Sequence, residues 1–192
     1  VGTVFLAREI SRRARAEDRL EELATTDALT GLRNRRKFDA SIELEWRRAI
    51  RSVRPIALLL VDADYFKIFN DSFGHQAGDQ ALIAIASCIS AAAKRAGDCA
   101  ARYGGEEFAV LLPGASEQVA REVAETIRKQ VELVPADPAQ LSVSIGVASM
   151  RPLVTMEWTG LVEAADKALY AAKAAGRNQC VVAEDTHRSL AA

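Results

Sequence analysis

The sequence has few of the residues that build disulfide scaffolds, zinc centres and nucleic-acid-binding surfaces. Its 192 residues include only three cysteines and two histidines. Cys88, Cys99 and Cys180 are scattered without a C-x-x-C spacing, so we expect buried, reduced thiols in a cytosolic protein. Lys and Arg total 25 against 26 Asp and Glu, so no overall positive field would attract a nucleic acid polymer.

Long apolar runs and low-complexity tracts are also missing. The apolar opening VGTVFLA is too short to span a bilayer and runs into a charged stretch, so it fits either the end of a membrane helix or the start of a linker helix. Because the first residue is Val, we expect the chain to be part of a longer protein. Whether an upstream segment anchors that protein in a membrane stays open. A connector helix, as a coiled coil or a solvated helix, is indicated by a thin apolar seam at Ile10, Ala14, Leu20 and Leu23.

With 49% hydrophobic residues, the rest of the chain can bury a core, and its periodicity predicts helices and strands around one hairpin. A basic amphipathic helix is expected from about Arg35 to Arg51, and the apolar run IALLLVDAD predicts a central buried strand. AARY and EEFAVLLP, linked by Gly104-Gly105, predict a hairpin. Further helices near residues 82–93, 119–134 and 161–175, with strands at LSVSIGVAS and CVVA, predict a sheet covered by helices.

Two carboxylates, Asp62 and Asp64, stand where the apolar strand ends, and their spacing of two places both on one side of the strand. Acids at the edge of a core are costly unless they are paired, and a divalent cation is one reason for keeping them. Capping of the following helix by one of them explains the pair equally well.

The hairpin contributes two more acids, Glu106 and Glu107, directly after glycines that let a large ligand approach the backbone. Strand alternation predicts that their side chains point to opposite faces, so at most one of them would join Asp62 around a metal. Taken alone, such a hairpin is more typical of a solvated turn than of a site.

Polar and basic residues follow the acids along the chain. Lys67 is placed to meet a phosphate, and Asn70 and Asp79 supply groups that read a guanine edge, although both are also ordinary helix caps. Lys173 and Arg177 could reach one side of a phosphate chain or simply form a solvated helix end. His75 has no second His or Cys in metal spacing, and we expect it to be structural.

Five blocks in one order and spacing give the sequence a specific resemblance. They are DALTGLRNRRKFD, VDADYFKIFNDSFGHQAGDQAL, RYGGEEFAVLLP, SVSIGVA and ADKALYAAKAAGRN. From Thr25 to about Val182 the chain resembles the GGDEF family of diguanylate cyclases, with GGEEF as the signature and Ala63 in place of a bulkier aliphatic residue. The resemblance implies an α/β (α+β) fold with a central, mainly antiparallel sheet flanked by helices, similar to polymerase-palm and nucleotidyl-cyclase domains. It divides the chain into a connector helix over 1–25, a catalytic domain over 26–184 and a tail over 185–192.

The same resemblance implies an activity and its partners. Two GTP molecules would be condensed into cyclic di-GMP and two pyrophosphates by a homodimer in which each monomer holds one GTP. Two Mg²⁺ ions per GTP are implied, with Mn²⁺ as an alternative, and the catalytic domain would be cytoplasmic. A catalytically silent receptor and a cyclase making a cyclic mononucleotide are the competing functions, which the retained acids and the guanine-reading pair disfavour.

The family's motifs imply a role for each matching residue of this sequence. Asp62, Glu106 and Glu107 would be the catalytic acids, and the same three with the Ala63 carbonyl would hold metal, with the general base left open. Arg95 and Asp98 match an R-x-x-D inhibitory site for the product, although this pattern alone usually marks a helix end. GTP would be held by Asn70 and Asp79 at the guanine, by Gly104 and Gly105 at the hairpin, by the Tyr65, Phe66 and Lys67 backbone, and by Lys67, Lys173 and Arg177 at the phosphates.

Overall fold

The apolar run that ends in acids forms the central strand of a six-stranded sheet, as its unbroken hydrophobicity predicted. The computed structural model describes residues 24–135 and 137–184. Most of the predicted connector helix and all of the predicted tail lie outside these residues. The elements in chain order are β1 (Arg33–Asn34), α1 (Arg35–Ser52), β2 (Ile56–Ala63), α2 (Phe66–Phe73), α3 (His75–Ala92), β3 (Cys99–Gly104), β4 (Glu107–Pro113), α4 (Glu117–Glu132), β5 (Val143–Met150), α5 (Thr159–Ala174) and β6 (Cys180–Val182).

The strands are ordered β1-β3-β4-β2-β5-β6 across the sheet. Strand β2 pairs antiparallel with β4 and β5, and β3 pairs antiparallel with β4. Both edge strands run parallel to their neighbours, β1 to β3 and β6 to β5. The fold is therefore the predicted helix-covered sheet, antiparallel among its inner strands and mixed as a whole.

Helices cover both faces of the sheet, so the core has two halves. Helices α3 and α4 bury their apolar faces, for example Ile85 and Ile127, against one side of β2, β4 and β5. Helices α1 and α5 bury Phe38 and Leu161 against the other side. The acids that follow the apolar part of β2 therefore lie where the sheet emerges from between two helical layers.

Helix α1 matches its predicted bounds to within one residue because its end signals are local. The Asn34 side chain accepts a hydrogen bond from the Lys37 backbone N–H at 3.0 Å and caps the first turn. The helix ends at Val53, whose φ of 52° is left-handed.

Within residues 24–135 and 137–184, no helix is long and apolar enough to cross a membrane.

The cysteine thiols are free, as expected, but they are half-buried rather than buried. Cys180 lies on the edge strand β6, where the sheet has a neighbour on one side only. Burial and then the nearby Glu125 carboxylate raise the pKa of Cys180 to about 12. A thiol with so high a pKa is not a nucleophile at neutral pH.

Candidate functional site

Asp62 lies at the end of β2 and is only 7% exposed. One carboxylate oxygen lies 2.8 Å from the Lys173 ammonium, which α5 carries to this edge of the sheet. Burial raises the pKa of Asp62, the Lys173 charge opposes that rise, and the Glu106 and Asp64 charges add to it. A buried carboxylate with a raised pKa is a candidate for binding or catalysis.

Glu107 lies directly opposite Asp62 in the register of β2 and β4, so both side chains lie on the same face of the sheet. Burial raises the pKa of Glu107, and the Asp62 charge raises it further, against the opposing charge of Lys173. The Asp62 charge therefore disfavours ionisation of Glu107. This Asp62–Glu107 pair would be stabilised by added positive charge.

The hairpin that carries Glu107 is confirmed, but its link differs from the predicted one by one residue. Gly104 belongs to β3 and pairs with Glu107, so the two-residue turn is Gly105-Glu106. The ladder changes register between Arg102 and Gly104, which absorbs the extra residue. Because Glu106 lies in the turn, strand alternation does not set its direction, and its charge acts on both members of the Asp62–Glu107 pair.

Arg102 ties this turn to the first described residues of the domain. Its Nε donates to the Gly105 carbonyl at 2.9 Å, and its Nη1 lies 3.4 Å from the Asp27 carboxylate. Burial alone would raise the pKa of Asp27, but hydrogen bonds from Thr30 and the Arg102 charge outweigh it and lower that pKa. The residues of the DALTG block thus help to fix the hairpin, a role that their sequence did not reveal.

Asp64 serves the fold rather than joining the pair. Its carboxylate accepts hydrogen bonds from Ser142 Oγ at 2.8 Å, Ser144 Oγ at 2.6 Å and the Asn178 backbone N–H at 3.0 Å. Ser144 lies opposite Asp62 in the β2–β5 register, which agrees with both acids facing one side. The start of α2 has no side-chain cap, so the capping alternative does not apply.

Asn70 on α2 and Asp79 on α3 lie on neighbouring helices, with Asp79 exposed. The Asn70 Oδ1 atom is buried and has no hydrogen-bond partner among the described residues. A Cβ added to Gly78 would overlap the Asn70 carboxamide and lie 3.2 Å from the Phe66 ring. Gly78 therefore makes room for Asn70, and no pattern in the sequence indicated this role.

The predicted phosphate-binding residues lie at separate points around the acids. Lys67 is exposed in the first turn of α2, and Lys173 contacts Asp62. Arg177 follows the end of α5, and its guanidinium carbon lies 4.5 Å from the centre of the Tyr65 ring. The structure thus brings Lys173 and the Asp62–Glu107 pair together, and places Arg177 beside the segment that follows β2.

Arg95 and Asp98 form a closed turn between α3 and β3. The Arg95 N–H donates to the Asp98 carboxylate at 2.9 Å, and the Asp98 N–H donates to the Arg95 carbonyl at 3.0 Å. Burial raises the pKa of Asp98, and the interactions with Arg95 oppose that rise. A cavity of about 530 Å³ lies beside this turn, lined by Asp98 and by the basic Arg33 and Lys37.

The donor chemistry of the acids fits a hard divalent cation. Among residues 24–135 and 137–184, no three His, Cys, Asp or Glu side chains converge as a metal-binding group. The implied set has three such side chains, Asp62, Glu106 and Glu107, and these three do not converge in the structure; the Ala63 carbonyl is its remaining, backbone member. The Ala63 N–H donates to the Glu106 carbonyl at 3.3 Å, which holds the turn beside the end of β2. Carboxylate and carbonyl oxygens are the ligands that Mg²⁺ takes, and one oxygen of Asp62 binds the Lys173 ammonium.

Comparison with known sequences identifies relatives over most of the chain. The family model described as "Diguanylate cyclase, GGDEF domain" matches residues 24–179. Diguanylate cyclase DgcM of Escherichia coli K12 is 38% identical over 93% of this chain and 43% of its own length. Response regulator PleD of Caulobacter vibrioides is 41% identical over 83% of this chain and 36% of its own length. The chain therefore spans less than half of these relatives.

Solved structures agree with the fold. The coiled coil and GGDEF domain of DgcB from Caulobacter crescentus, in complex with c-di-GMP, has a TM-score of 0.84 and 35% identity, covering 92% of this chain and 95% of that one. The active GGEEF domain of a diguanylate cyclase from Vibrio cholerae has a TM-score of 0.75 and 31% identity, covering 80% and 98%. Its GGEEF signature is the one at residues 104–108 here.

Proposed function

The chain belongs to the GGDEF family of diguanylate cyclase domains, and from that premise we propose that it condenses two GTP molecules into cyclic di-GMP and two pyrophosphates. The observation that carries this proposal is the Asp62–Glu107 pair next to the Gly105-Glu106 turn. The Asp62 carboxylate of this pair binds the Lys173 ammonium. A Cβ built on Gly104 or Gly105 meets nothing within 4 Å, so the turn is open to a large ligand.

The reaction is a nucleotidyl transfer performed twice. The 3′-hydroxyl oxygen of one GTP bonds to the α-phosphorus of the other, the bond from that phosphorus to the bridging oxygen breaks, and pyrophosphate leaves. When bound, Mg²⁺, or Mn²⁺ as an alternative, neutralises the triphosphate and favours ionisation of the attacking hydroxyl, with two ions per GTP. Asp62, Glu106 and the Ala63 carbonyl are the proposed metal ligands, and Glu107 either joins them or takes up the hydroxyl proton.

Binding of GTP is assigned to the residues around these acids. Asn70 and Asp79 are proposed to read the guanine edge, and the unpartnered Asn70 Oδ1 supports this assignment because a buried polar atom requires a partner. The backbone of Tyr65, Phe66 and Lys67 lies at the N-terminus of α2, a position that favours phosphate. Lys67, Lys173 and Arg177 would supply the positive charge for the triphosphate.

A homodimer is proposed as the active form, because one domain would hold one GTP and the reaction needs two. The symmetric reaction then places two identical half-sites face to face. GTP is a cytoplasmic nucleotide, so we assign the domain to the cytoplasm. Turnover per protein molecule that rises with protein concentration would indicate that the domain must dimerise to act.

We expect the purified protein with GTP and Mg²⁺ to release cyclic di-GMP and pyrophosphate in a ratio of one to two. Chromatography with mass detection identifies the nucleotide, and a coupled assay measures pyrophosphate. Omission of divalent cation is the matched control and should remove turnover. A cyclic mononucleotide as product would favour the related cyclase, and cyclic di-GMP binding without any product would favour the silent receptor.

Arg95 and Asp98 are proposed to bind the product and to inhibit the enzyme. Their closed turn lies on the loop between α3 and β3, where Arg95 is exposed. A guanidinium fork suits both a phosphate and the Hoogsteen edge of guanine. DgcB, one of the structural relatives, is in complex with c-di-GMP.

Arg95→Ala should therefore weaken inhibition by added cyclic di-GMP by about tenfold or more, because a charged hydrogen-bond donor is lost. Turnover without added product should stay within about twofold, since the residue lies outside the substrate site. Initial rates are measured against product concentration for both proteins. Lys94→Ala, on the neighbouring exposed residue, is the control for charge. An unchanged inhibition constant would assign product binding to another surface.

A further inference from the structure

Two adjacent residues that follow β2 contact two adjacent residues that follow α5. Asp64 accepts a hydrogen bond from the Asn178 N–H at 3.0 Å. Next to it, the Tyr65 ring lies under the Arg177 guanidinium, 4.5 Å from ring centre to guanidinium carbon. The Tyr65 hydroxyl also lies 3.5 Å from Arg177 Nη1. The two contacts together join segments more than a hundred residues apart in the chain.

The hydrogen bond from the Asn178 N–H to Asp64 fixes the backbone next to Arg177. Ser142 and Ser144 on the β5 side donate to the same carboxylate, so it joins three segments of the chain. Arg177 and Asn178 have φ values of 67° and 44°, a left-handed conformation that L residues seldom adopt. Such a conformation persists where neighbouring contacts hold it.

The Tyr65 contact fixes the side chain. Tyr65 is 57% exposed, so its ring has little part in the core, and its own φ of 55° is left-handed. Among residues 24–135 and 137–184, no carboxylate forms an ion pair with Arg177. Stacking uses the flat face of a guanidinium, so the N–H donors other than the one that faces the Tyr65 hydroxyl stay available for an anion.

We propose that the Tyr65 side chain is a positioning residue that holds Arg177 ready for the triphosphate of the incoming nucleotide. The inference rests on the proposed function, in which Arg177 contacts phosphate. It assigns a separate role to the Tyr65 ring, whose backbone is already placed in the phosphate cradle. A preorganised arginine gives up less side-chain freedom on binding, so the ring should contribute to GTP affinity rather than to the chemical step.

Tyr65→Leu should raise the KM for GTP about threefold to fivefold, the size of an exposed cation–π contact, while kcat changes by less than about twofold. Tyr65→Phe keeps the ring and should recover most of the affinity. In an Arg177→Ala background, Tyr65→Leu should have no further effect on KM, because the partner is gone. Tyr170→Leu, at an exposed tyrosine on α5, is the matched control and should leave KM unchanged. Thermal unfolding should be the same for all four single variants.

Each alternative outcome is decisive. An unchanged KM in Tyr65→Leu, or an equal rise in the Arg177→Ala background, would overturn the positioning role. Titration of GTP with Ca²⁺ present by calorimetry gives the same comparison as dissociation constants. If the wild type binds GTP but makes no cyclic di-GMP, the proposed function is wrong and the dissociation constants alone decide the role of Tyr65. If the wild type binds no GTP, both proposals are overturned.

Discussion

Asp62→Asn should lower the rate of cyclic di-GMP formation by at least about a thousandfold. The change keeps the shape of the side chain and removes the negative charge that pairs with Lys173 and lies opposite Glu107 in the sheet. An amide oxygen holds a divalent cation far less strongly than a carboxylate does, and charge stabilisation of this kind is usually the largest contribution to catalysis. Loss of one ligand should therefore affect both nucleotide affinity and the transfer step.

The comparison requires a neighbouring acid that is changed in the same way. Asp166 on α5 is exposed, and its charge also acts on Glu107, so Asp166→Asn removes equal charge near the site without removing a proposed ligand. We expect this control to keep its rate within about threefold, as for surface charges. Initial rates at saturating GTP and Mg²⁺ are measured for both variants. An Asp62→Asn protein with more than a tenth of the parental rate would contradict the assigned role.

Loss of activity in Asp62→Asn should come without loss of stability. Burial raises the pKa of Asp62, so above its ordinary value of 3.8 the unfolded chain ionises this group more readily than the folded protein does. Ionised Asp62 therefore lowers stability at neutral pH, and the neutral amide removes that cost. The melting temperature at pH 7 should be equal to or above that of the parent, a sign that the acid is kept for function.

The predicted elements that matched the structure are those with a strong local signal. Periodicity gave α1 to within one residue, and the apolar run gave β2. Helix α2 was given no bounds from the sequence, because it is only eight residues long and none of them is buried. Strand β1 is two residues long and pairs parallel to β3, so it has no detectable alternation. Tertiary pairing, rather than local propensity, creates β1.

The acids of the site were visible in the sequence because glycine turns and strand ends mark such positions. Their partners were not, because these contacts join distant segments. The Lys173 to Asp62 ion pair crosses from α5 to β2, and Asn178 reaches Asp64 through its backbone N–H. Asp64 illustrates the limit: spacing placed it beside Asp62, but only the structure shows that serine hydroxyls occupy its oxygens.

Gly146→Ala should destabilise the domain by about 3 kcal/mol, at the upper end of the cost of overpacking a core. Gly146 lies in β5, opposite Leu60 of β2, directly beneath α5. A Cβ at this position would overlap the Ala165 carbonyl oxygen and the Leu169 backbone nitrogen and would lie 2.8 Å from Leu169 Cα. These are backbone atoms of a helix, so no side-chain rotation relieves the overlap, and α5 must move away from the sheet.

Movement of α5 connects this packing contact to the site, because the same helix carries Lys173 to Asp62. We therefore expect the folded fraction of Gly146→Ala to show weaker GTP binding as well as a lower urea midpoint. Gly160→Ala is the control within α5: a Cβ there meets nothing within 4 Å, and alanine in a helix is neutral or stabilising by up to about 1 kcal/mol. Equal unfolding free energies for the two variants would show that α5 does not pack closely against Gly146. A loss of both stability and GTP affinity that is confined to Gly146→Ala would show that close contact between α5 and β5 positions the lysine of the site.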